Sequence, residues 1–60
     1  MYVLMRTDQG GGFLAKRGYK HAYVSLSNIQ QIRKFHTREE AEGNQCVDNE
    51  IIADLDMLMR

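Results

Sequence analysis

QGGGFLAKRG, residues 9–18, is the stretch on which the fold turns. Gly10, Gly12 and Ala15 satisfy the G-x-G-x-x-G/A spacing of a dinucleotide-binding turn, in which glycines open a helix whose N-terminus faces a pyrophosphate. That reading requires residues 13–17 (FLAKR) to be the helix. Their alternation argues otherwise, since Phe13, Ala15 and Arg17 would share one face of a strand and Leu14 and Lys16 the other. No P-loop lysine-serine pair follows, and 60 residues leave no room for a second mononucleotide half. Consecutive glycines are also what a hairpin turn with positive φ demands. The stretch therefore reads as a bend leading into the second strand of a hairpin.

Upstream, residues 2–7 (YVLMRT) favour β structure and run into Asp8 and the glycines as a first strand. Downstream, Tyr23 and Val24 supply a short extended segment. Ser27 and Asn28 are placed to cap a turn of helix that sets Ile29, Ile32 and Phe35 along one side, while residues 32–36 (IRKFH) fit a strand equally well. Thr37-Arg38-Glu39-Glu40 is a capping box: the Thr37 hydroxyl can accept from the Glu40 N–H, and the Glu40 carboxylate can reach back to the Thr37 N–H. Glu39 and Glu40 suit the positive end of the helix dipole, and Gly43-Asn44 supplies a stop.

The last segment, residues 48–60, fits two templates. As a strand it turns Ile51, Ala53 and Leu55 inward; as a helix it aligns Ile51, Ile52, Leu55, Leu58 and Met59. The expectation is a strand over Glu50–Asp54 with the tail unassigned. The resulting class is α+β: a small antiparallel sheet, built from the N-terminal hairpin plus later strands, with one short helix starting at Thr37, all in a single domain of residues 1–60.

A chain of this length buries about 60% of the surface its unfolded form exposes, and such cores commonly yield no more than ~3–5 kcal/mol without a staple. One cysteine, Cys46, excludes an internal disulfide, and no zinc-finger spacing is present. No apolar run has the length of a signal peptide core or a membrane span, so a soluble, cytoplasmic protein is expected. The zero net charge is an average over unlike halves. Residues 1–38 carry seven basic side chains against Asp8 alone, a net of +6, whereas residues 39–60 carry seven acids against Arg60, a net of −6. Either the fold brings the halves together and cancels the field, or the division marks an interaction surface.

YVLMRTD, GGGFLAKRG, a tyrosine-containing segment, RKFHTREEAE and DNEIIADLD together resemble short uncharacterised proteins encoded by phages and prophages. The resemblance spans residues 2–56, and HTREEAE is its most distinctive part. It implies a small α+β fold in a phage-type setting and carries no catalytic residues. It also implies a binding module, with the inhibition of host machinery as one use for it.

No chemistry rises from the remaining residues. His21, His36 and Cys46 lack the short spacing that fixes two ligands on one metal, even with Asp48 and Glu50 as oxygen donors. A Cys46–His dyad would also need an oxyanion site and a cleft. Glu39 and Glu40 are accounted for by the helix start. The expectation is a non-enzymatic protein with no cofactor and no metal, acting through a protein partner. The alternative is nucleic acid, because Lys16, Arg17, Lys20 and His21 interleave with Tyr19 and Tyr23, and Arg33 and Lys34 beside Phe35 extend the same surface. Against it, no net positive charge and no named nucleic-acid motif are present. The candidate partner-binding residues are Lys16, Arg17, Tyr19, Lys20, Tyr23, Arg33 and Lys34. Met57, Leu58 and Met59 form an apolar end available to a second copy as a homodimer contact.

Overall fold

The computed structural model describes residues 1–8 and 10–59; Gln9, inside the expected bend, and Arg60, at the end of the unassigned tail, lie outside the described residues. Tyr2–Arg6 (β1), Phe13–Leu14 (β2), Tyr23–Val24 (β3) and Glu50–Asp54 (β4) form one antiparallel sheet in the order β3-β2-β1-β4. A 3-10 helix, Leu26–Gln31, and two α-helices, Arg38–Asn44 (α1) and Leu55–Leu58 (α2), complete an α+β fold.

Val3 and Leu4 are sequence neighbours, yet both are fully buried at 0% exposure. Successive strand residues point to opposite faces, so the sheet must be covered on both. On one face Val3 joins Phe13, Ala15, Val24, Ile32 and Leu55, with Ile29, Ala53 and Leu58 packed around them. On the other, Leu4 joins Phe35 and Ala41 of α1, flanked by Tyr2, Leu14 and Ile52. This double cover explains why β1 reads as a continuous apolar run rather than an alternation.

β1 is the spine. Each of its five residues pairs with β4, from Tyr2–Asp54 to Arg6–Glu50. Its other edge is shared: Met5 pairs with Phe13 of β2, and Tyr2 exchanges two backbone hydrogen bonds of 2.8 Å with Phe35. Ile32 in turn bridges Ala15. The segment of residues 32–35 thus ties β2 to β1 where the two strands take different partners.

Several expectations change in detail. The second hairpin strand is shorter than residues 13–17, because the chain leaves the ladder after Ala15 and turns through Arg17 and Gly18, which has φ +88. Residues 32–36 form neither a full strand nor a helix face, only the two bridges. Ile29 and Ile32 enter one core, but Phe35 enters the other: Ile32 and Phe35 both bridge to the sheet, and their side chains lie on opposite faces of it. Ser27 and Asn28 do not cap the 3-10 helix; Ser25 holds the N-cap position without a side-chain bond, and its hydroxyl meets that of Ser27 at 2.7 Å.

α1 has Arg38 as its first helical residue and Thr37 at the N-cap, where Thr37 Oγ1 accepts from the Glu40 N–H at 3.1 Å. The reciprocal half of the box differs: the Glu40 carboxylate lies 3.5 Å from the Thr37 hydroxyl. Gly43 and Asn44 are inside the helix, and the Asn44 side-chain amide closes its end by donating to the Glu40 carbonyl at 2.9 Å. The C-terminal segment divides between its two templates. It is a strand through Asp54, whose carboxylate then accepts the Asp56 N–H and starts α2, so the chain has more than the one helix expected. Ile51, expected to face inward, is 44% exposed, because the cover from Leu55 and Leu58 lies toward Ala53.

Candidate functional site

The glycine stretch builds a bend and, beside it, an open cleft of about 320 Å³. Gly11 and Gly12 have φ +61 and +91, values that L-residues with side chains rarely adopt. A Cβ on Gly12 would lie 3.1 Å from the Val24 carbonyl oxygen, and one on Gly10 would lie 2.6 Å from the Arg6 guanidinium. The glycines therefore let Arg6 pass close to the backbone and reach across the sheet.

Arg6 lies with its guanidinium 4.8 Å from the centre of the Tyr23 ring, and its Nε pairs with Asp8. Asp8 also holds the bend, its carboxylate accepting from the Gly10 N–H at 3.3 Å and its carbonyl from the Gly11 N–H at 3.1 Å. Two amides that a phosphate cradle would turn outward are thus turned onto Asp8. The cleft has a cation and a tyrosine on its wall, but the cation is already neutralised.

Behind Tyr23 lies Glu50, a carboxylate only 4% exposed. The Tyr23 hydroxyl donates to one of its oxygens, and the Cys46 N–H donates to the other at 2.9 Å. Its backbone is held as well, with the Glu50 N–H on the Cys46 carbonyl at 2.9 Å and the Gln45 amide on the Glu50 carbonyl at 2.7 Å. The Glu50 hydrogen bond, then burial, then the negative charge of Glu50 hold the Tyr23 phenol above its ordinary value of 10.0. Buried polar groups satisfied in this way fix geometry. Glu50 keeps the turn of residues 46–49 and the end of the sheet in register.

The residues expected to touch a partner separate into two sets. Lys16, Arg17 and Lys20 are exposed in the loop between β2 and β3, with His21 beside them. The others are engaged within the fold. Tyr23 is bonded to Glu50, and Arg33 lies 5.0 Å over the Phe35 ring. Lys34 Nζ donates to the carbonyls of Ile29 and Ile32 at 2.8 and 3.2 Å, which closes the 3-10 helix. Tyr19 packs against the core and meets the His21 ring edge-on at 6.1 Å. Of the contiguous basic surface, the loop of residues 16–21 stays open.

Among the described residues the ion pairs are the N-terminus with Asp56 and Arg6 with Asp8. Neither joins a side-chain cation of the first half to an acid of the second, so the division of charge is not cancelled by direct pairs. No group of three His, Cys, Asp or Glu side chains stands together among those residues. Cys46 is exposed and in no hydrogen bond with His21 or His36. Arg6 and Asp8 are not singled out by the sequence as site residues, and Glu50 only as an oxygen donor to a metal; Glu50 opens β4, and its role depends on a pairing register that sequence does not display.

Compared with known proteins, the chain matches no protein-family model, and no curated protein or solved structure is similar to it.

Proposed function

We propose that this is a non-enzymatic binding protein of phage type that acts in the host cytoplasm by occupying an acidic surface of a protein partner with its basic loop. The observation that carries the reading is the contrast within the basic surface: Lys16, Arg17 and Lys20 are exposed, whereas Arg6, Arg33 and Lys34 are spent on rings and carbonyls. A protein that binds single-stranded nucleic acid needs exposed rings beside its cations. Here Tyr23 is held by Glu50 and Arg6, and Tyr19 packs on the core. A compact cationic loop whose tyrosine packs on the core, leaving His21 as its exposed ring, suits carboxylates on a protein better than a run of stacked bases. The resemblance to small phage-encoded proteins supports a host component as the target, with inhibition as the consequence. Among the described residues no helix is long and apolar enough to cross a membrane.

The test is an affinity capture from host lysate with and without nuclease, using the wild type and a variant carrying Lys16→Glu, Arg17→Glu and Lys20→Glu. A protein captured after nuclease treatment and lost with the variant is the expected result. Recovery of nucleic acid alone, with log K falling by about 0.7–0.9 per neutralised phosphate for each unit of log salt, would replace this reading with the nucleic-acid one.

A further inference from the structure

β4 ends the sheet, and among the described residues no strand pairs with its outer edge. The register identifies which backbone groups face outward. The Thr7 N–H donates to the Asn49 carbonyl and the Leu55 N–H to the Met1 carbonyl, both at 2.8 Å, so the hydrogen-bonded pairs with β1 fall at odd-numbered residues. Alternate residues of an antiparallel strand bond to opposite sides. Glu50, Ile52 and Asp54 therefore point their backbone groups away from β1. Those of Glu50 are taken by the turn of residues 45–46. The Ile52 N–H and C=O and the Asp54 N–H have no hydrogen-bond partner among the described residues.

The surroundings of this edge are apolar and acidic. Ile51, Val47 and Met57 are exposed at 44%, 80% and 68%. Asp48, Asp54 and Asp56 alternate with them along the chain, Asp56 pairing with the N-terminal ammonium, and from Glu39 onward the only basic residue in the sequence is Arg60. A second copy paired about Ile52 would set Asp54 opposite the other copy's Glu50, whose outward backbone groups are already taken by Cys46 and Gln45 and whose negative charge adds repulsion to the pair. Edge carboxylates are a common means of deterring self-pairing.

We propose that the free edge of β4 accepts an extended cationic segment of a partner protein as a fifth, antiparallel strand. Main-chain bonds to Ile52 and Asp54 supply the pairing. A lysine or arginine opposite Asp54 neutralises its carboxylate, and apolar side chains at alternate positions cover Ile51 and Ala53 on the other face. This surface is on the far edge of the sheet from β3, so it is independent of the basic loop proposed above.

The probe is a short capped peptide alternating lysine and valine, titrated into ¹⁵N-labelled full-length protein. Two control peptides replace every lysine by glutamate, or carry N-methyl groups at alternate residues to block one strand edge. The expected result is chemical-shift change confined to residues 47–57 and slower amide exchange at Ile52 and Asp54 with the lysine peptide alone. The Lys16→Glu, Arg17→Glu, Lys20→Glu variant retains this response, which separates the failure of one surface from the failure of the other. Unchanged exchange at Ile52 and Asp54, equal protection by the glutamate or N-methylated peptide, or shifts centred on β3 would overturn the proposal.

Discussion

Replacing Tyr23 by Phe removes one hydroxyl and leaves the ring, and with it the Arg6 stacking, in place. What is lost is a donor to a carboxylate that is 4% exposed and therefore cannot recruit water freely. Hydrogen bonds to charged groups contribute about 1.5–3 kcal/mol, and a domain of this size shifts its Tm by about 4–8 °C per kcal/mol. Tyr23→Phe should therefore melt at least several degrees below the wild type and show a lower urea midpoint at neutral pH. The pH dependence provides a second readout. The folded-state phenol titrates above its ordinary value of 10.0, so its contribution is complete below that pH and is lost as pH rises through the raised folded value. The difference between wild type and Tyr23→Phe should stay constant from pH 7 to about 9 and shrink above 10.0. Equal midpoints at neutral pH, or a difference that survives unchanged into strong alkali, would refute the account of Glu50 as a buried acceptor that depends on Tyr23.

Thr37→Ala removes the side-chain acceptor of the Glu40 N–H and should cost about 0.5–2 kcal/mol by urea denaturation. Gly12→Ala should destabilise by about 1–3 kcal/mol through its positive φ and the contact with the Val24 carbonyl. Gly43→Ala lies in α1 with open space around it and should instead raise the melting temperature, by about 0.5–1 kcal/mol of added stability. Ile32→Ala empties a position at 0% exposure and should cost about 2–5 kcal/mol. Against the ~3–5 kcal/mol expected of so small a core, circular dichroism should show a largely unfolded chain.

Local chemistry was legible in the sequence wherever the deciding forces act between near neighbours. The glycine run after Asp8 bends, because few other residues accept the positive φ of Gly11 and Gly12, and Thr37 with Glu40 three positions later places a cap. The alternation of Phe13, Leu14 and Ala15 separates the two faces of a strand. The paired isoleucines and the alternation favour a strand over Glu50–Asp54, and the structure ends it there because Asp54 also caps the following helix. Tertiary structure decided what depends on distant partners. Val3 and Leu4 are both buried only because residues 29–32 cover one face and α1 the other. Phe35 leaves the line of Ile29 and Ile32 because Tyr2 offers it a backbone pair. The basic residues look equivalent along the chain, yet Lys34 is committed to the carbonyls of Ile29 and Ile32 at the end of the 3-10 helix, while Lys16, Arg17 and Lys20 are not so held. Glu50 becomes a buried acceptor because the β1–β4 register carries it to Tyr23, 27 residues away in sequence. Propensity and capping act within a few residues, whereas burial and charge pairing are set by which segments meet, and that is a property of the folded chain.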